Sequence, residues 1–320
     1  MNITVIGSGR WGSFIAWYLD RQKNNVSIYG RETSSAFAEL RKNRKNEYVS
    51  FSEDVKFSTD LQATLSDSEI AVISISSQSL RSFLTSTDIS LFKGKKVLLC
   101  MKGIEEDSGK RLTEVAKECG IDGNDLAVWV GPGHIQEFTA GKPNCMLIDS
   151  ENHALTKKIA DFLRSDLIRF YYGNDLIGSE IGAAAKNVMG IAAGILDGSG
   201  MSTLKGALMA RGAREVARLI KVMGGNELSA YGLCHRGDYE TTLFSKYSNN
   251  RNFGEAFIKG ENFTKLAEGV STAKAMKLLG EKYGEELPIT SAVYSVIYDK
   301  ADPTKTFNSL FARSLREEFN

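Results

Sequence analysis

Apolar residues in the first half of the chain fall into short runs that alternate with stretches of helical spacing. The helical stretches include 13–22, 34–42 and 108–119. Strands that alternate with helices favour an α/β fold with a mostly parallel, doubly wound sheet. The predicted strands are 3–6, 26–29, 70–75, 97–101, 127–130, 145–148 and 168–171.

From about Asp175 onward the β-type runs fade and helical patterns dominate. We therefore expect an α/β domain over residues 1–174 and an all-α domain over residues 175–320, with a cleft between them. Ligands of such sheets bind beyond the carboxyl ends of the strands, so the residues that follow each strand are where chemistry is expected. The segment 224–252 is the least regular. The predicted helices are 175–198, 202–223, 254–259, 271–283 and 289–299.

A glycine-rich turn joins the first predicted strand to the first predicted helix. Gly7 permits the tight turn, Gly9 lets the backbone approach a pyrophosphate, and Gly12 lets the helix pack close to the strand. The free N–H groups at the start of that helix would face the phosphates. The motif alone also fits a purely structural turn, but its setting between strand, helix and second strand favours a Rossmann domain that binds NADP(H) or NAD(H).

The end of the second predicted strand bears on the choice of nucleotide. An NAD-selective site usually has an acidic residue there, which binds the ribose hydroxyls. Here the position is Gly30, and Arg31 follows it. With Arg10 in the glycine turn, Arg31 favours NADP(H), because guanidinium groups bind phosphate well. The alternative is that Arg31 stacks beside the adenine or is simply solvated.

Composition narrows the function classes. The 320 residues carry 40 Lys and Arg against 39 Asp and Glu, a net charge of +1, which does not favour nucleic-acid or membrane partners. No apolar run reaches membrane-spanning length, and the first strand starts too early for a signal peptide, so we expect a cytoplasmic chain without membrane insertion. The four cysteines form no C-x-x-C pair and are expected to be buried thiols. The three histidines show no metal-type spacing, so no metal site is expected.

Lys186 lies within a predicted helix whose isoleucines and valine form an apolar stripe. It is flanked one turn away on either side by Gly182 and Gly190, which leave room for another body to approach the helix. Desolvated in a cleft, Lys186 would hydrogen-bond a carbonyl and donate a proton to it. The pattern fits equally well a lysine that extends from a tightly packed pair of helices to solvent.

Two further glycine-containing turns follow predicted strands. Lys102 precedes Gly103 after one strand, and the turn that begins at Gly131 and ends at Gly133 follows the next. Both would lie at the carboxyl edge of the sheet, although such turns are also ordinary loop chemistry. Asp238 and Asn250 lie in the irregular segment and, taken alone, are turn residues.

Taken together, the order and spacing of these elements resemble those of the bacterial NAD(P)-dependent glycerol-3-phosphate dehydrogenases along nearly the whole chain. The glycine turn alone would indicate only a Rossmann fold. The segments that carry the resemblance are 7–12, 102–103, 131–137, 185–187, 237–238, 250–251, 268–269 and 288–290.

The resemblance implies reduction of dihydroxyacetone phosphate to sn-glycerol 3-phosphate, the entry to phospholipid synthesis. It implies a helical second domain like that of 6-phosphogluconate dehydrogenases, and a homodimer. It makes Lys186 the acid/base, with Lys102 and Asp238 completing the polar site. The implied cofactor contacts are Gly7, Gly9, Arg10, Trp11, Gly12, Arg31, Tyr48, Lys102, Ile135, Asn250, Arg251 and Glu268. The implied substrate contacts are Lys102, Gly131, Gly133, Lys186, Asp238, Ser248, Asn249, Asn250 and Arg251.

Two departures from the family pattern stand out. Asn249 occupies a position where the family usually has an arginine, near the substrate phosphate or the cofactor. Arg236 is an extra arginine just before Asp238. One hypothesis is that Arg236 replaces the missing cation. The other is that the protein is a related two-domain dehydrogenase acting on another 2-keto or 3-hydroxy compound. A nucleotide-sensing protein without turnover would not need Lys102, Lys186 and Asp238 together.

Overall fold

The computed structural model describes residues 1–315, 317 and 318, and within them one eight-stranded sheet is covered by helices. The predicted α/β class is confirmed. The last positions of the predicted second domain, 316, 319 and 320, lie outside the described residues. The strands are β1 Asn2–Ile6, β2 Asn25–Tyr29, β3 Lys56–Ser58, β4 Ile70–Ile73, β5 Lys96–Leu99, β6 Leu126–Val130, β7 Asn144–Asp149 and β8 Ile168–Tyr172.

The strand order is β3-β2-β1-β4-β5-β6-β7-β8, and the pairs from β3 to β6 are all parallel. Strand β7 runs antiparallel to β6, and β8 runs parallel to β7. Strands β2 and β3 are added on one side of β1, and β4 and the later strands are added on the other side. The point between β1 and β4 is therefore the topological switch point, where a doubly wound sheet has its binding crevice. Every residue of β4 and β6 is buried, as expected for central strands with both faces covered.

Within the described residues, seven α-helices accompany the sheet, and α1 begins at Arg10 directly after the glycine turn. Ser34 and Asn152 cap the helices that follow them, because each side-chain oxygen accepts a backbone N–H of the first turn. The helices are α1 Arg10–Arg21, α2 Ser35–Asn43, α3 Leu61–Leu65, α4 Leu80–Thr85, α5 Leu112–Glu118, α6 Ile135–Thr139 and α7 His153–Leu163.

The remainder of the described chain is helical and is built around α8, which runs from Leu176 to Gly198 and is buried on nearly all sides. The predicted apolar stripe on α8 was therefore too narrow. A Cβ on Gly194 would lie 2.0 Å from the carbonyl oxygen of Arg251, which shows how closely the next helices approach. The helices that pack on α8 are α9 Lys205–Val222, α10 Asn249–Lys259, α11 Gly269–Tyr283 and α12 Pro288–Ile297, and α13 Pro303–Ser309 packs on α12.

Some predicted boundaries were wrong. Helix α5 starts at Leu112 rather than 108, because the preceding residues form a turn closed by a bridge between Ile104 and Arg111. Helix α10 starts at Asn249 rather than 254, because Ser248 caps a polar first turn that shows no apolar periodicity. Strand β3 and helix α13 were not predicted, since both are short.

The sheet and α8 are joined through buried polar groups. The Glu180 carboxylate accepts a hydrogen bond from Arg111 Nη1 at 2.8 Å and from the backbone N–H of Thr113 at 2.9 Å. Asp149 at the end of β7 accepts one from Ser179 Oγ at 2.7 Å. Buried charges require such partners, so these contacts fix the orientation of α8 on the sheet.

The four cysteines differ in their burial. Cys100 and Cys234 are buried, but Cys119 and Cys145 are only half-buried, which corrects the expectation of four buried thiols. All four are free. In the part of the chain that the structure describes, no cluster of metal-ligating side chains occurs. Among the same residues, no helix is both long and apolar enough to cross a membrane.

Candidate active site

A cleft of about 1350 Å³ opens at the carboxyl edge of the sheet and reaches α8. Its walls come from the glycine turn, the ends of β2, β4 and β5, the start of α6, the middle of α8 and residues 241–242 and 247–250. The cleft is larger than the 300–1,000 Å³ typical of a pocket for one drug-sized ligand. It therefore has room for a dinucleotide and a small substrate together.

The glycine turn has the geometry that the sequence predicts. Gly7 has φ +106°, and a Cβ there would lie 2.3 Å from the carbonyl oxygen of Ser74. A Cβ on Gly12 would lie 2.1 Å from the carbonyl oxygen of Gly7. A Cβ on Gly9 would meet no described atom within 4 Å, so at that position the backbone faces open space in the cleft. The turn thus fits a pyrophosphate at the start of α1.

Two ring nitrogens in the cleft wall indicate that a polar ligand belongs there. Trp11 Nε1 and His134 Nε2 are both buried and have no hydrogen-bond partner among residues 1–315, 317 and 318. Unsatisfied buried polar atoms are uncommon in folded proteins and call for an explanation. The residues present therefore fit a nicotinamide dinucleotide, which Trp11 and His134 would help to hold.

At the opposite end of the cleft, Gly30 follows β2 and Arg31 is exposed in the wall. A Cβ on Gly30 would lie 2.2 Å from Cγ of Phe37, whose ring is part of the core. The side chain of Phe37 therefore occupies the space that an acidic residue at this position would need.

The centre of the site is a carboxylate shared by two ammonium groups. Asp238 Oδ2 lies 2.8 Å from Lys102 Nζ and 2.8 Å from Lys186 Nζ. Lys102 Nζ also donates to the carbonyl oxygen of Gly131 at 2.5 Å, and Lys186 Nζ donates to Thr242 Oγ1 at 2.9 Å. The three residues predicted to carry the chemistry are thus brought together, although they come from three distant parts of the chain.

Burial and charge set the protonation of this cluster. Burial lowers the pKa of Lys186, the charge of Asp238 raises it and the charge of Lys102 lowers it, and the net result is a pKa of about 8. Burial by itself would raise the pKa of Asp238, but the two lysines beside it hold that pKa below its ordinary value. Near neutral pH the site therefore holds a carboxylate and a lysine poised to lose its proton.

The backbone that carries Asp238 is irregular and is braced by neighbouring side chains. A short 3₁₀ turn at 236–238 leads into a π-helix at 240–244, a form that is common at functional sites. Thr241 Oγ1 donates to the other Asp238 oxygen. Sequence reasoning missed Thr241 and Thr242, and the only signal was that two threonines follow Asp238 closely.

His235 braces the same turn from the buried side. Its Nδ1 donates to the carbonyl oxygen of Gly182 at 2.9 Å, and its Nε2 accepts from the Tyr239 hydroxyl at 2.6 Å. Burial lowers the pKa of His235 to about 4, so the ring is neutral at physiological pH. A Cβ on Gly182 would lie 3.0 Å from Cβ of His235, so this glycine does make room for an approaching segment, as predicted.

The side-chain amides of Asn187 and Asn250 connect α8 to α10 and α11 by hydrogen bonds. Asn187 Nδ2 donates to the carbonyl oxygen of Lys102 at 2.9 Å, and its Oδ1 accepts from Asn250 Nδ2 at 3.0 Å. Asn250 Oδ1 accepts from the backbone N–H of Gly269 at 2.9 Å. Both amides line the cleft; Asn250 was predicted as a contact residue, and Asn187 was not predicted as a site residue.

The other predicted residues of the 248–251 segment do not all face the cleft. Ser248 and Asn249 line it, and Asn249 Nδ2 donates to the carbonyl oxygen of Leu266 at 3.1 Å. Arg251 does not line it, because its guanidinium pairs with Asp197 at 2.7 Å and with Glu255 at 2.9 Å. The prediction that Arg251 binds cofactor and substrate is therefore not supported by its placement.

Arg236 is exposed and does not line the cleft. Its position gives no support to the hypothesis that it replaces a cation at residue 249.

Most of the remaining predicted contacts lie along the cleft, and Tyr48 does not. Ile135 and Gly133 line it, and Gly131 reaches the site through its carbonyl oxygen. Glu268 also lines it, with a carboxylate that accepts from the backbone N–H of Ser77 at 3.2 Å and a pKa raised by burial. Tyr48 does not line the cleft but lies beneath the guanidinium of Arg10, at 5.6 Å from the ring centroid.

Comparisons with known proteins agree with this geometry. The family model for the NAD-dependent glycerol-3-phosphate dehydrogenase N-terminus matches residues 2–156, and that for the C-terminus matches residues 175–308. The chain is 34% identical to the glycerol-3-phosphate dehydrogenase of Geobacillus kaustophilus, covering 100% of this chain and 96% of that protein. It is 33% identical to that of Prosthecochloris aestuarii, covering 99% of this chain and 100% of that one.

Among solved structures, glycerol-3-phosphate dehydrogenase from Coxiella burnetii superposes with a TM-score of 0.90 at 28% identity. The match covers 97% of this chain and 98% of the other, so it includes both the Rossmann part and the helical part. The match in sequence and fold spans the residues that form the cleft. The chain therefore belongs to the NAD-dependent glycerol-3-phosphate dehydrogenase family.

Proposed function

We propose that this protein catalyses the reversible NAD(P)H-dependent reduction of dihydroxyacetone phosphate to sn-glycerol 3-phosphate. As a member of the family it is an NAD(P)-dependent oxidoreductase that acts on a CH–OH group. The observation that carries the proposal is the carboxylate of Asp238 held 2.8 Å from both Lys102 and Lys186 at the inner end of the cofactor cleft. This cluster offers a proton donor and positive charge to a carbonyl oxygen.

Lys186 is the proposed proton donor. When bound, the nicotinamide cofactor supplies the hydride, so a ketone oxygen nearby gains negative charge. The Lys186 ammonium stabilises that charge and then gives its proton to the oxygen. A pKa of about 8 suits this role, because the group is protonated at neutral pH yet releases its proton readily. In the oxidative direction the neutral amine takes the proton back.

Lys102 and Asp238 orient the donor. Asp238 holds both ammonium groups with one oxygen, while Thr241 bonds the other oxygen, so the carboxylate has little freedom to rotate. Lys102 is fixed by the carbonyl oxygen of Gly131 and lies where it would also meet a substrate oxygen. Such preorganised charge costs no rearrangement during reaction.

The remaining substrate contacts are assigned by their place in the cleft. Asn250, held by Asn187, faces the same space as Lys186. We assign Gly131, Gly133, Ser248, Asn249 and Asn250 to the glycerol and phosphate end, and we leave Arg251 out because it is engaged with Asp197.

The nucleotide end favours NADPH over NADH. Phe37 blocks an acidic residue at position 30, and Arg31 is exposed in the cleft wall beside it. A guanidinium there can bind a 2′-phosphate with charge-assisted hydrogen bonds. NADH, which lacks that phosphate, gains nothing from Arg31.

The resemblance supports three further proposals. The product supplies glycerophospholipid synthesis, the enzyme works in the cytoplasm, and it acts as a homodimer. We also propose that residues 1–174 and 175–320 form separate domains, since β8 ends at Tyr172 and α8 begins at Leu176.

A second candidate substrate follows from Asn249. An amide lines the cleft where the resemblance leads one to expect a guanidinium, which would suit a 2-keto or 3-hydroxy compound with less negative charge.

The test is oxidation of NADPH, and separately of NADH, by purified protein with dihydroxyacetone phosphate. Unphosphorylated dihydroxyacetone and a panel of 2-keto acids serve as comparison substrates. Turnover of the phosphorylated ketone with a lower KM than any other compound supports the proposal. Tight NADPH binding with no turnover of that ketone would reject it in favour of the second candidate.

A further inference from the structure

The side chain of Arg10 crosses the cleft from the sheet to the helical part of the protein. Its backbone belongs to the glycine turn, at the first residue of α1. Its Nη1 donates to the carbonyl oxygen of Tyr247 at 3.2 Å, and its Nη2 donates to Gln136 Oε1 at 3.4 Å. The guanidinium also lies over the ring of Tyr48. Arg10 therefore reaches the segment that leads into Ser248 and Asn249.

Among the residues that the structure describes, no carboxylate pairs with the guanidinium of Arg10. Its partners are a carbonyl, a neutral amide and an aromatic ring, and no ion pair of Arg10 occurs within the described part of the chain. The contrast with Arg251 is clear, because two carboxylates hold that guanidinium. A guanidinium that lines a cleft and has no carboxylate partner of its own is well suited to bind phosphate.

His134 provides a second, independent observation at the same place. Its Nε2 is buried without a partner among the described residues, and its ring lies 5.5 Å from that of Tyr247. Burial, and next the positive charge of Arg10, lower the pKa of His134 to about 4, so the ring is neutral. A neutral imidazole nitrogen without a partner and an unpaired guanidinium thus meet the same part of the cleft.

We infer that Arg10 supplies, from the glycine turn, the positive charge for a phosphate group that Asn249 lacks. The phosphate belongs either to the substrate or to the cofactor, since both reach this part of the cleft under the proposed function, on which the inference rests. Tyr247, whose carbonyl oxygen accepts a hydrogen bond from Arg10, is two residues before Asn249, and Arg10 and Asn249 both line the cleft. Arg236 is excluded because it is exposed and lies outside the cleft wall.

The inference is tested with Arg10→Ala, Asn249→Arg and the double variant, with Arg236→Ala as the matched control. The readouts are KM for dihydroxyacetone phosphate, calorimetric binding of sn-glycerol 3-phosphate with NADP⁺ present, and the Kd of NADPH alone. Loss of a charge-assisted contact should raise one of these values about ten- to a hundredfold in Arg10→Ala. The double variant should return it to within about threefold of the wild type. The control should match the wild type.

The pattern of changes identifies the source of the phosphate. An effect on KM and on glycerol 3-phosphate binding, with unchanged NADPH binding and unchanged kcat/KM for unphosphorylated dihydroxyacetone, assigns Arg10 to the substrate phosphate. An effect on the Kd of NADPH assigns it to the cofactor. If Arg10→Ala changes neither, or if Asn249→Arg fails to restore what is lost, the inference is wrong.

The same experiment separates this inference from the proposed function. If wild-type protein does not turn over dihydroxyacetone phosphate, the proposed function fails. The binding of NADPH and of glycerol 3-phosphate to wild type and Arg10→Ala still measures whether Arg10 binds phosphate.

Discussion

Replacing Asp238 with asparagine removes the negative charge that lies between Lys102 and Lys186 while nearly preserving the side-chain shape. The carboxylate is buried and its Oδ2 is 2.8 Å from each ammonium nitrogen. In Asp238→Asn the two ammonium groups remain close together with no carboxylate between them. We therefore expect the pKa of Lys186 to fall further, because nothing then offsets its burial and the charge of Lys102.

The size of the effect follows from the geometry. At 2.8 Å and an effective dielectric constant of about 20, two unit charges attract by about 6 kcal/mol. Water and side-chain rearrangement recover much of this in the variant, so we take about 2 kcal/mol as the loss felt by Lys186, or about 1.5 pKa units. The pKa of Lys186 then falls from about 8 to about 6.5.

The assay is a profile of reductive kcat against pH for wild type, Asp238→Asn and the exposed control Asp299→Asn. The reductive rate needs protonated Lys186, so it is lost as pH rises through the pKa of that residue. At about pH 7.5 the protonated fraction falls from about three quarters to about one tenth, which lowers kcat about eightfold. Acidification should restore much of the loss. If the descending limb of Asp238→Asn coincided with that of the wild type, the reasoning would be refuted.

Three further predictions concern other parts of the molecule. Arg31→Ala should raise KM for NADPH about tenfold and leave that for NADH unchanged, because only the 2′-phosphate loses a partner. Gly30→Asp should lower the melting temperature without improving KM for NADH, because its Cβ would lie 2.2 Å from the ring of Phe37. Glu215→Ala should destabilise the fold by about 2–4 kcal/mol in denaturant titrations, because its buried carboxylate accepts the first N–H groups of α12 at 2.7 and 3.0 Å. The exposed control Glu281→Ala should change the free energy of unfolding by less than about 0.5 kcal/mol. Equal effects of the two substitutions would show that Glu215 does not stabilise the fold by capping α12.

The sheet and the glycine turn could be predicted because their signals are local. Strand β1 ends at Ile6 and is followed by the glycine turn. The apolar residues and glycines of this segment indicate its local structure without reference to distant residues. The start of α10 was missed for the converse reason, since the polar residues after Ser248 show no apolar periodicity and the cap alone marks the boundary.

Contacts between distant segments could not be predicted from residue patterns alone. Nothing local indicates that Phe37 closes the space beside Gly30, or that Arg10 reaches Tyr247. The cluster of two lysines and Asp238 was predicted only through the family resemblance, and its protonation depends on burial that the sequence does not show. Likewise the placement of Arg251 against Asp197, away from the cleft, is a property of the folded chain.

Whether Lys186 is the proton donor is decided by the turnover of Lys186→Met, measured together with its Kd for NADPH. If Lys186 donates the proton, kcat for dihydroxyacetone phosphate falls by about a hundredfold or more, while NADPH binding stays within about threefold of the wild type. Lys221→Met, which alters a lysine whose side chain is 66% exposed, should behave as the wild type. Near-normal turnover in Lys186→Met would show that Lys186 is not the proton donor.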